Sequence, residues 1–336
     1  MSELRQDRTT EGWVIVAPQR RRRPHAWVAD APQPKALPPF QPDCPFCPGN
    51  EAELPGIVAE TPGEGTPGWS VRVVPNKFPA LQPQAQVPAC GHGALPGYGF
   101  HEVVIESPRH NADLAAMSAP ELEALVAMYR RRSQALLEQA GIETVVLFRN
   151  HGSKGGASLT HPHSQIMALG LIPPRLNLMI EAGRRHLRAG GRCATCAELE
   201  IASRDGRRVV EENAKFVALV PFAAEHPFEL WIVPKRHQAS FTAVSDADLG
   251  DFSELLGRSL RRLQAVLHGP PYNFVVDSAP RSHLSAPYLH WRLRMVPKIV
   301  SWGGFELGTG MPINPSSPED DASALRAVPL EQVRPR

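Results

Sequence analysis

Two sets of four residues carry the chemistry most plainly written in this chain. Cys44 and Cys47 form a Cys-x-x-Cys pair followed by His110 and His161, and Cys193 and Cys196 are followed in the same way by His237 and His290, with nearly equal spacing between the histidines. Two thiolates and two imidazoles make a closed four-ligand shell for a soft tetrahedral ion, so zinc is expected in each set. A filled shell leaves no position for a reacting water, which makes each metal scaffolding and argues against a metallohydrolase. A thioredoxin-like dithiol would need only one pair in a βα setting. His226 competes for the second set, but His237 keeps the two sets symmetric. The remaining cysteine, Cys90, reads as an inert filler.

The chemistry itself is expected where the two copies differ. After the first set comes Ser158-Leu-Thr-His161-Pro-His163-Ser-Gln165; the second copy has Tyr288-Leu-His290-Trp-Arg292-Leu-Arg294. In an extended segment, residues i, i+2 and i+4 share a face, so His161, His163 and Gln165 form one polar row, and so do His290, Arg292 and Arg294. With His161 spent on the metal, His163 remains free. A neutral imidazole nitrogen attacks phosphorus without first losing a proton, which makes His163 the candidate nucleophile. Just before it, Asn150-His-Gly152-Ser-Lys-Gly155-Gly156-Ala-Ser158 reads as a phosphate cradle, with backbone N–H groups brought close to an anion by glycine. It lacks the P-loop spacing. Lys154 there is either a phosphate counter-charge or a solvated loop lysine.

The elements that must hold these residues recur in the same order. Strand-like VRVV (71–74) and HEVVIE (101–106) precede Ser118-Ala-Pro-Glu121, a capping box opening a helix with apolar positions 122, 125, 126, 129, 136 and 137 and a stop at Gly141, then TVVLFRN. In the second half FVALV (216–220) and FELWIV (228–233) precede Ser245, a helix carrying Leu249, Phe252, Leu256, Leu260 and Leu263, a stop at Gly269, then NFVV (273–276). Strands joined by short links around one long helix predict an α+β fold. It has two tandem halves, 1–180 and 181–336, with mainly antiparallel sheets related by a pseudo-two-fold axis.

Composition bounds the partners. The 336 residues carry a net charge of +2 with acidic residues interspersed, so no nucleic-acid footprint is expected, and no apolar run reaches membrane-spanning length. The exception is the run Arg20 to Arg23, which charge alone leaves as a solvated turn. Prolines number 35, in keeping with many ordered loops, and residues 31–43 read as an extended connector. Thiols outside a disulfide pattern, and no apolar leader at the start, point to a reducing cytoplasm.

Taken together, HPHSQ, NHGSKGGAS, the early Cys-x-x-Cys and the opening WVIVAPQRRRRP resemble galactose-1-phosphate uridylyltransferase, a two-halved branch of the histidine-triad superfamily. The resemblance covers about residues 5 to 325, and its combined motifs are specific where any single one is not. It implies ping-pong transfer of UMP from UDP-glucose to galactose 1-phosphate through a uridylyl-His163 intermediate, in a homodimer whose zinc ligands are the first set. Carried over by motif, Gln165 and Ser158 contact the α-phosphate; Asn150 and Gly156 help position it. Arg20 and Arg23 lie near the nucleotide and phosphate, Asn76 contacts the nucleoside, and Phe78 walls the base. The chain departs from the family in two places. The Cys193, Cys196, His237, His290 set is similar to that of a relative acting as an ADP-glucose phosphorylase. The hexose-phosphate loop reads Gly304-Phe305-Glu306 without the expected glutamine behind it, leaving Phe305 and Glu306 either as sugar contacts or as loop. The alternatives carried forward are an adenylyl-transferring ADP-sugar phosphorylase and a non-catalytic double-zinc binding protein.

Overall fold

The computed structural model describes residues 1–22, 37–63, 68–83, 93–329 and 331. Arg23, Cys90 and the connector up to residue 36 lie outside the described residues. The first half runs β3 (Ala59–Pro62), β4 (Trp69–Pro75), β5 (Gly99–Ile105), α1 (Ala119–Leu137), β6 (Thr144–His151) and β7 (His163–Leu169). The second runs β8 (Val209–Glu212), β9 (Phe216–Leu219), β10 (Leu230–Pro234), α4 (Asp246–Leu267), β11 (Tyr272–Asp277) and β12 (Arg292–Pro297). Between them lie α2 (Pro174–Gly190) and α3 (Ala194–Asp205), which helical patterning did not single out.

These ten strands join in one sheet of order β3-β4-β5-β7-β6-β11-β12-β10-β9-β8. Every pairing in it is antiparallel. The order reads as the same five-strand pattern forwards and then reversed, meeting at the β6–β11 seam, where Asn150 pairs with Asn273 and Phe148 with Val275. This is the α+β, pseudo-two-fold architecture expected from the repeat.

Both long helices lie on one face of the sheet. The α1 residues Leu122, Leu125, Val126 and Tyr129 and the α4 residues Leu249, Phe252, Leu256 and Leu260 are buried in one cluster with Val104, Ile166, Ile232 and Phe274 of the strands. Their spacing places each apolar stripe inward, and truncating a central leucine there costs about 2–5 kcal/mol. The α1 capping box forms as read, with the Ser118 N–H donating to the Glu121 carboxylate at 2.8 Å. The opposite sheet face is left for the polar rows.

The chain ends build a separate small sheet. Strands β1 (Glu3–Gln6) and β2 (Trp13–Val16) pair antiparallel, and β13 (Ile313–Asn314) adds in parallel to β2. Two short helices, α5 (Gly304–Thr309) and α6 (Pro318–Arg326), flank β13. Among the described residues, no helix is long and apolar enough to cross a membrane.

Candidate active site and metal centres

The first tetrad assembles from three separate segments. Cys44 and Cys47 sit in a tight loop in which the Cys47 N–H donates to the Cys44 carbonyl at 3.1 Å. His110 follows β5, and His161 lies two residues before β7. All four are buried, and their donor atoms lie within 4.8 Å of one another. Cys44 Sγ and Cys47 Sγ are each 3.7 Å from His161 Nδ1, and Cys47 Sγ is 3.5 Å from His110 Nδ1. A tetrahedron with metal–sulfur bonds of about 2.3 Å and metal–nitrogen bonds of about 2.0 Å has edges of roughly 3.5 Å, so the donor set fits a tetrahedral ion.

Outer hydrogen bonds fix which histidine nitrogens face the ion. His161 Nε2 donates to the Ser107 carbonyl at 2.8 Å, and His110 Nε2 lies 3.1 Å from Thr160 Oγ1, so both Nδ1 lone pairs point inward. Burial holds the His161 imidazole down to about pKa 4, which keeps it neutral as a ligand must be. Burial, with the neighbouring Cys47 sulfur adding to it, pushes the metal-free Cys44 thiol up to about 11, so a cation entering the site displaces protons.

The second tetrad repeats this geometry. Cys196 Sγ lies 3.4 Å from His237 Nδ1 and from His290 Nδ1, while His290 Nε2 donates to the Pro234 carbonyl at 3.0 Å. Cys193 caps α3, and α2 must approach the His290 loop closely to deliver it; a Cβ on Gly183 would stand 2.5 Å from the Tyr288 carbonyl oxygen. His226 is not among the four. Its ring stacks on Trp302 at 6.0 Å instead. Both groups can therefore bind a metal ion.

His163 stands beside the first tetrad and outside it. It is 7% exposed, and its Nδ1 donates to the His161 carbonyl at 2.8 Å, which leaves Nε2 as the lone-pair nitrogen. Burial lowers its pKa, so the ring is neutral at physiological pH. Phe46, between the two cysteines, packs edge-on against it at 5.5 Å. Behind β7, on the helix side, Ser164 and Tyr129 bond the fully buried Glu106 carboxylate. That carboxylate also takes the Arg149 guanidinium at 2.9 Å, and Arg149 reaches across the seam to the Tyr272 hydroxyl at 2.9 Å. Burial works against the Arg149 charge, but Glu106 outweighs it.

The glycine segment is a 3-10 turn at the seam. The Gly155 and Ala157 N–H groups donate to the Gly152 carbonyl, and Gly156 N–H to the Ser153 carbonyl, so these three donors close the turn itself. Glycine is required here for other reasons: Gly156 has φ +88°, and a Cβ on Gly155 would meet the Tyr272 carbonyl oxygen at 2.9 Å. Asn273 from the second half ties the turn down, donating to Gly155 O at 2.6 Å and to Asn150 Oδ1 at 2.9 Å. Ser158, Gly156 and Lys154 are exposed.

Other residues named from sequence fall in two groups. Asn76 joins the row, with its amide 3.5 Å from Gln165 Oε1, whereas the Phe78 ring is 85% exposed. Arg20 lies with Ser2, Ile15 and Ile313 by the chain-end sheet. Phe305 is exposed, and the Glu306 carboxylate accepts the Gly303 N–H at 2.9 Å, capping its own short helix. Among the described residues no hydrogen bond or ring contact joins Arg20, Phe305 or Glu306 to His163. Sequence reasoning missed Phe46, His101, Glu106 and Asn273; the alternation of HEVVIE marked His101 as sharing a face with Val103 and Ile105, but not its partner.

The relatives this doubled α+β chain matches make it a nucleotidyltransferase. Residues 1–173 match the family model described as galactose-1-phosphate uridyl transferase, N-terminal domain, and the chain belongs to that family. It is 36% identical over 335 residues to the ADP-glucose phosphorylase of Arabidopsis thaliana, covering 98% of this chain and 93% of that protein. It is 29% identical to the galactose-1-phosphate uridylyltransferase of Thermotoga maritima, covering 98% and 100%. The crystal structure of the Arabidopsis thaliana ADP-glucose phosphorylase with bound ADP-glucose superposes with a TM-score of 0.84 at 34% identity, covering 98% of this chain and 100% of that one. A solved uridylyltransferase gives 0.75 at 28%, covering 99% of each.

Proposed function

We propose that this enzyme transfers a nucleotidyl group from a nucleoside diphosphate hexose through a covalent nucleotidyl-His163 intermediate, with ADP-glucose as the donor. The observation that carries the mechanism is the His163 ring: Nδ1 is spent on the His161 carbonyl and Nε2 is left unbonded within the described residues. The Nε2 lone pair forms a P–N bond to the α-phosphorus as the bond to the bridging oxygen breaks, and glucose 1-phosphate leaves with that electron pair. An acceptor phosphate oxygen then attacks the same phosphorus, and the P–N bond breaks. Gln165, Ser158, Asn150 and Gly156 are assigned to the α-phosphate side, and Asn76, Phe78, Arg20, Arg23, Phe305 and Glu306 to nucleoside and sugar.

Adenine is favoured over uracil as the base by the 36% identity with an ADP-glucose phosphorylase and by the second Cys/His tetrad. Inorganic phosphate is the matching acceptor, since no glutamine follows Glu306 in the hexose-phosphate loop. The second reading keeps UDP-glucose and galactose 1-phosphate, in line with the family model and the Gly304-Phe305-Glu306 loop. Zinc is assigned to both tetrads on ligand softness; it would hold His161, and with it the start of β7, and supply no reacting water. A cytoplasmic homodimer belongs to the same reading.

Incubation with ADP-glucose labelled at the α-phosphate is expected to leave alkali-stable, acid-labile label on His163, discharged by inorganic phosphate. Label from UDP-glucose alone, discharged by galactose 1-phosphate, would establish the second reading. No label from either would remove the covalent mechanism.

A further inference from the structure

His101 was not marked by any motif, yet it makes the shortest recorded side-chain contact to the Gln165 carboxamide. Its ring sits on β5, two residues from Val103, which is the cross-strand partner of Gln165 on β7. His101 and Gln165 therefore stand diagonally on the same sheet face, within reach of long side chains. His101 Nε2 is 2.7 Å from Gln165 Oε1. The other ring nitrogen decides the direction of that bond: His101 Nδ1 accepts the Ala80 backbone N–H at 3.2 Å. A neutral imidazole has one donor and one acceptor, so Nδ1 carries the lone pair and Nε2 the proton. That proton goes to Gln165 Oε1.

Asn76 reinforces the arrangement. Its Oδ1 accepts the Phe78 N–H at 2.8 Å, which turns its amide nitrogen toward both groups, 3.2 Å from His101 Nε2 and 3.5 Å from Gln165 Oε1; with Nδ1 already accepting from Ala80 and Nε2 carrying the proton, the oxygen is the acceptor this amide is left with. With Oε1 facing these two groups, the Gln165 carboxamide cannot flip without setting its NH2 against the His101 donor. Its own NH2 is left for an incoming acceptor. At the corresponding place in the second half, two residues before Trp231, the partner of Arg294, stands Glu229, an anion suited to a guanidinium and unable to donate.

We infer that His101 is a positioning residue for nucleotidyl transfer: held in one tautomer by the Ala80 N–H, it locks the Gln165 carboxamide so that its NH2 faces the phosphate oxygens of a nucleoside diphosphate sugar beside His163. The inference rests on the proposed function for its substrate and on the hydrogen-bond chain for its geometry. Outright loss of one preorganised donor to developing charge lowers the chemical step by about 100- to 1,000-fold, and an unlocked amide, which presents oxygen to the anion only part of the time, is expected to lose about tenfold or more.

The test is single-turnover formation of the nucleotidyl-enzyme from ADP-glucose, with UDP-glucose run alongside. His101→Phe is expected to slow the first-order rate by about tenfold or more with little change in the half-saturating concentration, and His101→Gln, which can accept from Ala80 and donate to Gln165, to recover most of it. Gln165→Ala combined with His101→Phe is expected to be no slower than Gln165→Ala alone, because His101 acts only through Gln165. An unchanged rate in His101→Phe, or additive losses, would overturn the inference. Nitrogen-15 spectra of the histidine rings, with His101 assigned from its missing signal in His101→Gln, decide the matter even if His101→Phe does not fold or no nucleotidyl-enzyme forms in the parent chain. The Nε2–H tautomer is expected, and the Nδ1–H tautomer would sink the proposal.

Discussion

The two halves place the same row of three positions beside the same kind of tetrad and fill it in opposite ways. In the first half the row is His161, His163, Gln165, faced by Asn150, His101 and Asn76, with no carboxylate or guanidinium among them. In the second it is His290, Arg292, Arg294, faced by Asp277 and Glu229 at the equivalent cross-strand places. Arg292 is fully buried, 3.0 Å from Asp277, 3.0 Å from Thr9 Oγ1 and 3.7 Å over the Trp231 ring, and Arg294 lies 2.9 Å from Asp277. One row keeps an imidazole nitrogen without a partner among the described residues and an amide held from one side; the other has its charges matched within the fold, with Thr9 of the N-terminal segment against Arg292. On the proposed mechanism, a duplicated backbone thus supports chemistry in one copy and rigidity in the other through two substitutions per row.

The largest effect separating the rows is expected from His163→Ala. Nucleotidyl-enzyme formation and turnover should fall by at least about 10⁴-fold while the melting temperature and metal content stay near those of the parent, and retention of normal turnover would break the comparison. In the second row, Arg292→Leu should leave the chemical step of the folded protein within a few-fold but cost about 3–5 kcal/mol in denaturant unfolding, because Asp277 is left buried with one fewer partner. Adding Asp277→Asn should restore part of that stability, and a double variant no better than the single would locate the cost elsewhere.

Replacing Cys193 and Cys196 by serine is expected to remove one of the two metal ions measured per chain and lower the melting temperature, with the labelling rate changed less than tenfold. Unchanged stoichiometry would show that the second tetrad holds no metal. The smallest effect is in pH dependence. Burial holds His226 down to about pKa 4, among Glu225, Lys298, Arg294 and Arg175, against an ordinary value near 6.5. The unfolded chain then binds this proton first, so stability present above pH 6.5 is lost as pH falls toward 4. The loss amounts to at most about 3 kcal/mol, and His226→Phe should flatten that slope in unfolding curves taken between pH 4 and 7.

Much of this was legible before any fold was known. The two Cys/His tetrads, the doubled order of strands and helices, the inward stripes of α1 and α4 and the separation of His163 from the tetrad all follow from residue types and their spacing along the chain. Metal ligands and apolar faces recur at distances set by the chain itself. The small sheet of chain ends was not legible, since β13 is two residues long and pairs with a strand almost three hundred positions earlier. Nor was the closing of the glycine turn on itself by the Gly155, Gly156 and Ala157 N–H groups.

What the sequence by itself determined is which residue types stand in each row and which histidine remains once the tetrad is complete. What only the tertiary structure decided is how those residues are held. Asn273 grips the turn from the other half, Thr9 and Asp277 take up Arg292, and His101 fixes the carboxamide of Gln165. The first depends on the β6–β11 seam, the last on the β5–β7 register and the Arg292 contacts on the β11–β12 pairing and the chain-end turn; all arise from packing between segments distant in the chain, which no local periodicity encodes.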